Sequence, residues 1–503
     1  MHLLQPHSHS RRAFLRRSAQ LAFTGAALPT ALNLAAMGEA AAFNAPAGSY
    51  KALVCVFLFG GNDYGNTVVT YDDPSYNAYS TIRGGGAGQT AGGIALAKAS
   101  LTPTLLSPST ALPGGRQYAL HPSMTGMAGL FNAGQAAVQL NVGPLVVPMT
   151  KAQYLGGNRT LYPLPPKLFS HNDQQSIWQS SSPEGSTIGW GGNIGDLALA
   201  SNTNSLFTCM SITGNAVFLA GDSALSYQVS TGGAVKINSV VNNVYGSAAV
   251  KTAMGQLVQQ ARSHVLENEY TTVAKRAIGS EGLITSGIGT GSALGTGAEF
   301  APLNALPTNN SLGAQLKMVA RLIAARASLG TKRQVYFVSL GGFDNHDLLL
   351  TNHVTNLTRV SEAMTAFYQT TANLGVANDV TAFTASDFGR TLTSNGDGSD
   401  HGWGSHHFVV GGAVQGKSFY GYAPPVGNGS TATEADQWHV GQGRLLPTTS
   451  VDQYAATLAS WFGVEPAEMA GILPNLRNYG GVASPANGGI AYPTNLGFFK
   501  PRP

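Results

Sequence analysis

The chain has 503 residues, enough for a large core, but only 10% of them are charged, far below the ~25% usual in soluble domains. Four of its 28 basic residues are arginines within the first 42 positions; beyond them 24 basic residues face 23 acidic ones, a net of +1. That balance excludes nucleic-acid binding through a bulk positive field, and two cysteines make no thiolate metal motif.

The N-terminus reads "SRRAFLRRSAQLAFTGAALPTALNLAAMGEAAAF". Arg11-Arg12 precede Phe14 and Leu15, a modestly apolar stretch runs from Leu21 to Met37, and small residues surround Ala40–Ala42. This is the pattern of a twin-arginine secretory signal over residues 1–42. It predicts a periplasmic or extracellular protein, exported folded through the twin-arginine translocase. Pro29 and Asn33 make the stretch a poor permanent span, and no later run approaches ~18 apolar residues, so no permanent membrane span is expected.

Beyond the signal, short apolar runs rich in β-branched and aromatic residues predict buried strands at Ala52–Phe59, Ala137–Val142, Leu206–Ile212, Gln334–Leu340 and Asp379–Ala385. Helical periodicity predicts helices at Ser123–Asn132, Val250–Ala277, Ser311–Ser328, His353–Leu374 and Val451–Phe462. Ser450 and Asp452 stand ready to cap the last. Regions 82–118 and 278–310, low in charge and rich in Gly, Ala, Ser and Thr, read as loops or insertions. The alternation predicts one α/β domain over residues 43–503, with a mostly parallel sheet and helices on both faces. Cys55 and Cys209 lie inside apolar runs and read as buried thiols, with a single disulfide left open by the oxidising compartment.

In such a sheet, ligands bind beyond the carboxyl ends of the strands. The first strand runs into "GGNDYGN", which places Asp63 at its end, as a ligand or as the cap of its own turn. The fourth runs into "GGFDNHD", where Asp344 and His346 are two apart and point the same way in extended backbone. Carboxylate and imidazole on one face suit a divalent metal; Asp347 reads as the cap of the next helix. The fifth runs into "SDFGRT", with Asp387 at the strand end and Arg390 in reach as a bidentate oxyanion partner. His401 follows in "DHGWG", with Asp400 beside it as an orienting carboxylate. His406 and His407 precede a strand-like "FVVGG". Earlier, "HPSM" puts His121 and Ser123 at a helix start, where Ser123 is a cap or a nucleophile. The polar cluster "FSHNDQQSIWQS" offers His171. With no thiolate, the ligand set suits zinc, manganese, magnesium or calcium.

The order of these motifs resembles the alkaline phosphatase and sulfatase superfamily. More closely, "GGNDYGN", "HPSM", "FSHNDQQSIWQ", "GGFDNHD", "SDFGRT" and "DHGWGSHHFVVGG" resemble a family of twin-arginine-exported bacterial proteins of unassigned function, a distant member of that superfamily. The resemblance implies an alkaline-phosphatase-like fold and metal-dependent hydrolysis of a small or polymeric anionic phosphate or sulfate ester. Asp63 and Asp387 would match ligands of one ion, Asp344, His346 and His401 those of the other, and Ser123 the nucleophile. The chain departs from the superfamily pattern in three places. Phe388 stands where a histidine is common, Asp344 and His346 are two rather than four apart, and no Cys-x-Pro-x-Arg occurs. One ion, two, or none are compatible with those departures. The alternative to an enzyme is a non-catalytic protein of the same fold that binds a polymer or a partner protein.

Overall fold

In the computed structural model, which describes residues 49–84, 93–289 and 295–501, the first apolar run forms strand β1 (Lys51–Leu58). The expected signal at 1–42 lies outside the described residues. Eleven further strands follow among the described residues. They are β2 (Val68–Thr70), β3 (Tyr118–Leu120), β4 (Ala136–Gly143), β5 (Cys209–Ser211), β6 (Tyr227–Ser230), β7 (Gly233–Ala234), β8 (Arg333–Leu340), β9 (Val380–Ser386), β10 (Ser405–Gly411), β11 (Phe419–Tyr420) and β12 (Thr449–Ser450). All but β2 and β3, which pair with each other, belong to one sheet in the order β11-β4-β10-β9-β1-β8-β5-β6-β7, with β12 also on β4. β1 pairs in parallel with both β8 and β9, and β8 in parallel with β5. β10 runs the other way between β9 and β4, and β7 is antiparallel to β6. The expected α/β class holds, as a mostly parallel mixed sheet.

The helices that matter here are α1 (Asp73–Ile82), α2 (Thr125–Asn132), α3 (His171–Ser180), α4 (Trp190–Ala198), α5 (Ala248–Gln259), α6 (Val265–Gly289), α7 (Ser311–Ala324), α8 (Leu349–Asn373) and α9 (Val451–Phe462). They cover both faces, as the alternation along β1 requires. Ala52, Val54, Val56 and Leu58 join a core with α2, α7 and α8; Leu53, Cys55 and Phe57 join a second core with α4 and α9. α7 shows the local logic. Asn310 caps it by accepting from the Gly313 amide at 2.9 Å. Leu312, Leu316, Val319 and Ile323 then recur at helical spacing and are fully buried, each contributing roughly 1.5–3 kcal/mol.

Four expectations need correction. The helix expected over Val250–Ala277 is two, because Gln260 leaves helical backbone (φ −69°, ψ 127°). The second continues to Gly289, into the region read as loop; the five residues after it lie outside the described residues. The strand expected at Leu206–Ile212 shortens to Cys209–Ser211, after a 3₁₀ turn at Ser205–Phe207. The α8 helix opens on Leu348 in left-handed backbone with no side-chain cap, so Asp347 does not cap it. By contrast, Ser450 caps α9 in a reciprocal pair with Gln453. Cys55 and Cys209 are buried free thiols. They sit on strands two apart, on either side of β8, ~10 Å by strand spacing and beyond the ~7 Å disulfide limit. No helix among the described residues is long and apolar enough to cross a membrane.

Candidate metal centre

The register of the three central strands brings the motifs to one edge. Leu58 of β1 pairs with Leu340 of β8 and with Ser386 of β9. The segments carrying Asp344 and Asp387 therefore leave the sheet side by side, with the Gly60-Gly61 turn between them. Gly60 (φ 115°) passes so close to the next segment that a Cβ would lie 2.4 Å from the Asp344 amide nitrogen. At Gly61 (φ 80°) a Cβ would lie 2.3 Å from the Phe388 ring. Only glycine permits both the backbone angle and the approach.

The acidic and imidazole groups form two layers. Asp344 (43% exposed) and His346 (41%) face solvent, while Asp387 and Arg390 beneath them are completely buried. Asp344 Oδ1 lies 3.1 Å from His346 Nε2 and 3.2 Å from His401 Nε2; Oδ2 lies 3.4 Å from His171 Nε2. The two Nε2 atoms of His346 and His401 are 2.9 Å apart. His171, Asp344 and His401 each offer a ligand atom within 4.8 Å of the others.

The second nitrogen of each ring decides where its proton sits. His171 Nδ1 is 2.7 Å from Asp387 Oδ2, His346 Nδ1 3.2 Å from Asp400 Oδ1, and His401 Nδ1 2.7 Å from the Phe169 carbonyl. An ionised carboxylate or a carbonyl can only accept, so each Nδ1 carries a proton, and a ring that carries no second proton presents a bare Nε2. Each Nε2 faces the Asp344 carboxylate, a contact that either a second ring proton or a cation in its place satisfies. An extra proton on one ring satisfies one of these contacts, whereas a divalent cation satisfies all of them. The contacts of the three rings to Asp344 are close to the ~3.3 Å that ligand atoms ~2.0–2.1 Å from a tetrahedral zinc keep between themselves; His346 lies outside the group of three whose ligand atoms all fall within 4.8 Å of one another. The donor set fits a divalent metal, with outer partners of the usual kind on every imidazole.

The electrostatics agree. Burial works against ionisation of Asp344, but the Arg390 hydrogen bond (2.9 Å) and charge, with His346 and His171, outweigh it and hold the carboxyl below its ordinary range. Asp400 is held low in the same way by Asn395 and His346 against its burial. Burial lowers His401, keeping the ring neutral as a ligand must be, although the Phe169 carbonyl opposes the shift. The Asp387 hydrogen bond raises His171 despite burial.

The residues singled out from sequence fare differently. His171, Asp344, His346 and His401 come together. Asp387 lies beneath them, accepting from His171, from Gln175 Nε2 at 2.8 Å and from the Gly60 amide at 3.2 Å. Asp63 does not join them. Its carboxylate is buried against Arg83 (2.8 Å), accepts from Ser399 Oγ (2.8 Å) and caps a single helical turn through the Asn66 amide (2.8 Å). Arg390 is committed to the Ser399 carbonyl and hydroxyl, the Gly60 carbonyl and Asp344, and presents nothing to solvent. α2 begins at Thr125, past Ser123. Ser123 is instead bonded to His121, its Oγ 2.9 Å from Nδ1. That nitrogen also accepts the Ser123 amide at 3.2 Å, so it is bare and takes the hydroxyl proton. No hydrogen bond joins Ser123 to the cluster among the described residues. His406 and His407 are both buried in β10; His406 Nδ1 accepts from the Asn141 amide and His407 packs on Trp178.

Phe388 packs on the rings of His171 and His401, with centroids 4.9 and 4.6 Å away. The imidazole beside Asp387 is that of His171, from α3. Sequence reasoning missed three supports, the Phe169 carbonyl, Gln175 and Ser399. The first has no side-chain signal at all. Gln175 was hinted at only by the polarity of the α3 motif.

No curated relative matches the chain. All strands of the sheet and all of these site residues fall within residues 50–469, which match the family DUF1501, a protein family of unknown function. The chain belongs to that family.

Proposed function

We propose that this protein is an exported, metal-dependent hydrolase of phosphate or sulfate esters, related to the alkaline phosphatase and sulfatase superfamily, in which His171, Asp344, His346 and His401 hold one divalent ion. The observation that carries the metal reading is the convergence of His171, Asp344 and His401, each offering a ligand atom within 4.8 Å of the others. When bound, such an ion polarises an ester oxygen and activates water at neutral pH. The chain's own residues do the rest. Asp387, Asp400 and the Phe169 carbonyl fix the protons on the three Nδ1 atoms. Arg390 holds Asp344 by one oxygen from below. Phe388 closes the lower face of His171 and His401 to water. The upper face, where Asp344 and His346 are exposed, is open to solvent.

A second reading is a non-catalytic protein that binds a polymer or partner through the same ion. It is favoured by Asp63, whose carboxylate is taken by Arg83, so that the second ion of the superfamily has no complete ligand set. A screen of phosphate and sulfate monoesters and diesters, with the purified protein with and without a chelator, separates the two. Turnover of at least one class that is abolished by chelator and restored by a divalent metal is expected. Metal binding with no turnover of any ester would favour the second reading.

A further inference from the structure

We infer that Arg444, rather than Arg390, is the residue that receives the oxyanion of the substrate; this rests on the metal-hydrolase reading above. Arg390 is enclosed, and all its partners are protein groups. Arg444 reaches the same cluster from a different segment. It closes a tight turn in which its amide bonds the Gly441 carbonyl at 2.9 Å and its own carbonyl accepts from the Val440 amide at 2.9 Å. The turn is tied to the segment after β9, because the Leu392 amide bonds the Gln442 carbonyl at 3.0 Å.

The side chain is then clamped twice. Nε donates to the His401 carbonyl at 2.7 Å, and the guanidinium lies 5.3 Å from the centroid of the Phe169 ring. Phe169 is the residue whose carbonyl orients His401; it is held in left-handed backbone (φ 73°). Arg444 is therefore fixed to a proposed metal ligand and to the residue that positions that ligand. No hydrogen bond or ion pair reaches its two terminal nitrogens among the described residues, and the side chain is partly exposed. Asp400 is the acidic group that acts on it by charge, but that carboxylate already accepts from Asn395 at 2.8 Å and from His346. The free pair of terminal N–H groups is the edge with which a guanidinium grips two oxygens of a tetrahedral oxyanion. Its place beside His401 would put that oxyanion against the ion.

Calorimetric titration of the zinc- or manganese-loaded protein with inorganic phosphate, and in parallel with sulfate, tests this without relying on turnover. Compared at equal metal loading, Arg444→Ala is expected to weaken binding of the preferred anion at least tenfold, and Arg444→Lys to recover part of the loss. The arm that binds more tightly identifies a phosphate or a sulfate site. Binding by Arg444→Ala within twofold of wild type, at equal metal content, would overturn the assignment alone. So would a wild type that takes metal but neither anion. A wild type that takes no metal would instead overturn the reading beneath it.

Discussion

Replacing Asp387 by asparagine keeps the size of the side chain and removes one charge from beneath His171. The carboxylate meets only donors on its Oδ2, namely His171 Nδ1 at 2.7 Å, Gln175 Nε2 at 2.8 Å and the Gly60 amide at 3.2 Å. The amide oxygen can take this place, but as a neutral acceptor it makes His171 a weaker base and a weaker ligand. Loss of such an outer partner costs 10–100-fold in metal affinity, about 1.4–2.7 kcal/mol. The pH dependence has a definite sign. The Asp387 hydrogen bond is the main cause that raises the His171 pKa, so in the wild type a proton competes with the metal more strongly at pH 6 than it does in Asp387→Asn. The affinity ratio of wild type to variant is therefore larger at pH 8 than at pH 6. Competition with a chromogenic chelator at both pH values measures it. A variant within twofold of wild type at pH 8, or a ratio that grows as pH falls, would refute the outer-partner role.

Two further outcomes follow from burial. Phe388→Ala removes a ring that is 1% exposed from between Gly61 and two imidazoles. It is expected to cost about 3–5 kcal/mol in urea unfolding of the metal-free protein and to weaken metal binding, while Phe388→Leu keeps most of both. Burial pushes His353, His406 and His407 down to about 3, against ~6.5 when unfolded. Below that value the unfolded chain binds protons that the folded one does not. Stability thus falls as pH drops through the window from ~6.5 toward 3. Between pH 7.5 and 5.5 each ring costs about 1.4 kcal/mol, about 4 kcal/mol for the three. Asp452, pushed up to about 6 by its burial, offsets less than ~1 kcal/mol of this over the same interval. Urea unfolding of chelator-treated protein at the two pH values checks it, and a loss under about 1 kcal/mol would contradict the neutral, buried state of these rings.

The strand ends were legible because a Gly-Gly pair after an apolar run marks a tight turn wherever it occurs, and the same sign preceded both Asp63 and Asp344. Their fates differ for a reason the local pattern does not contain. Asp63 enters a helical turn, Tyr64–Thr67, whose cap it becomes, and meets Arg83 at the end of α1; nothing around residue 83 announces that pairing. Arg390 was visible as a cation near the site, but its direction was not, because that depends on Ser399 and Gly60 closing around it. Asp400 reads from sequence as a carboxylate that orients a ligand histidine, and the ring it contacts is His346 rather than its chain neighbour, since adjacent residues in an extended segment point to opposite sides. The proton position on His401 depends on a backbone carbonyl in left-handed geometry, which no side-chain pattern encodes. The exported destination and the superfamily relation rest on the motifs alone.

Metal content per chain is the most direct test of the central claim. Chelator-stripped protein incubated with zinc, manganese, magnesium or calcium, desalted and measured by elemental analysis, is expected to retain one equivalent of one of these ions. Asp344→Ala and His401→Ala are each expected to retain none while melting within a few degrees of the stripped wild type. A wild type that retains no ion, or an Asp344→Ala/His401→Ala double variant that still holds a full equivalent, would contradict the account.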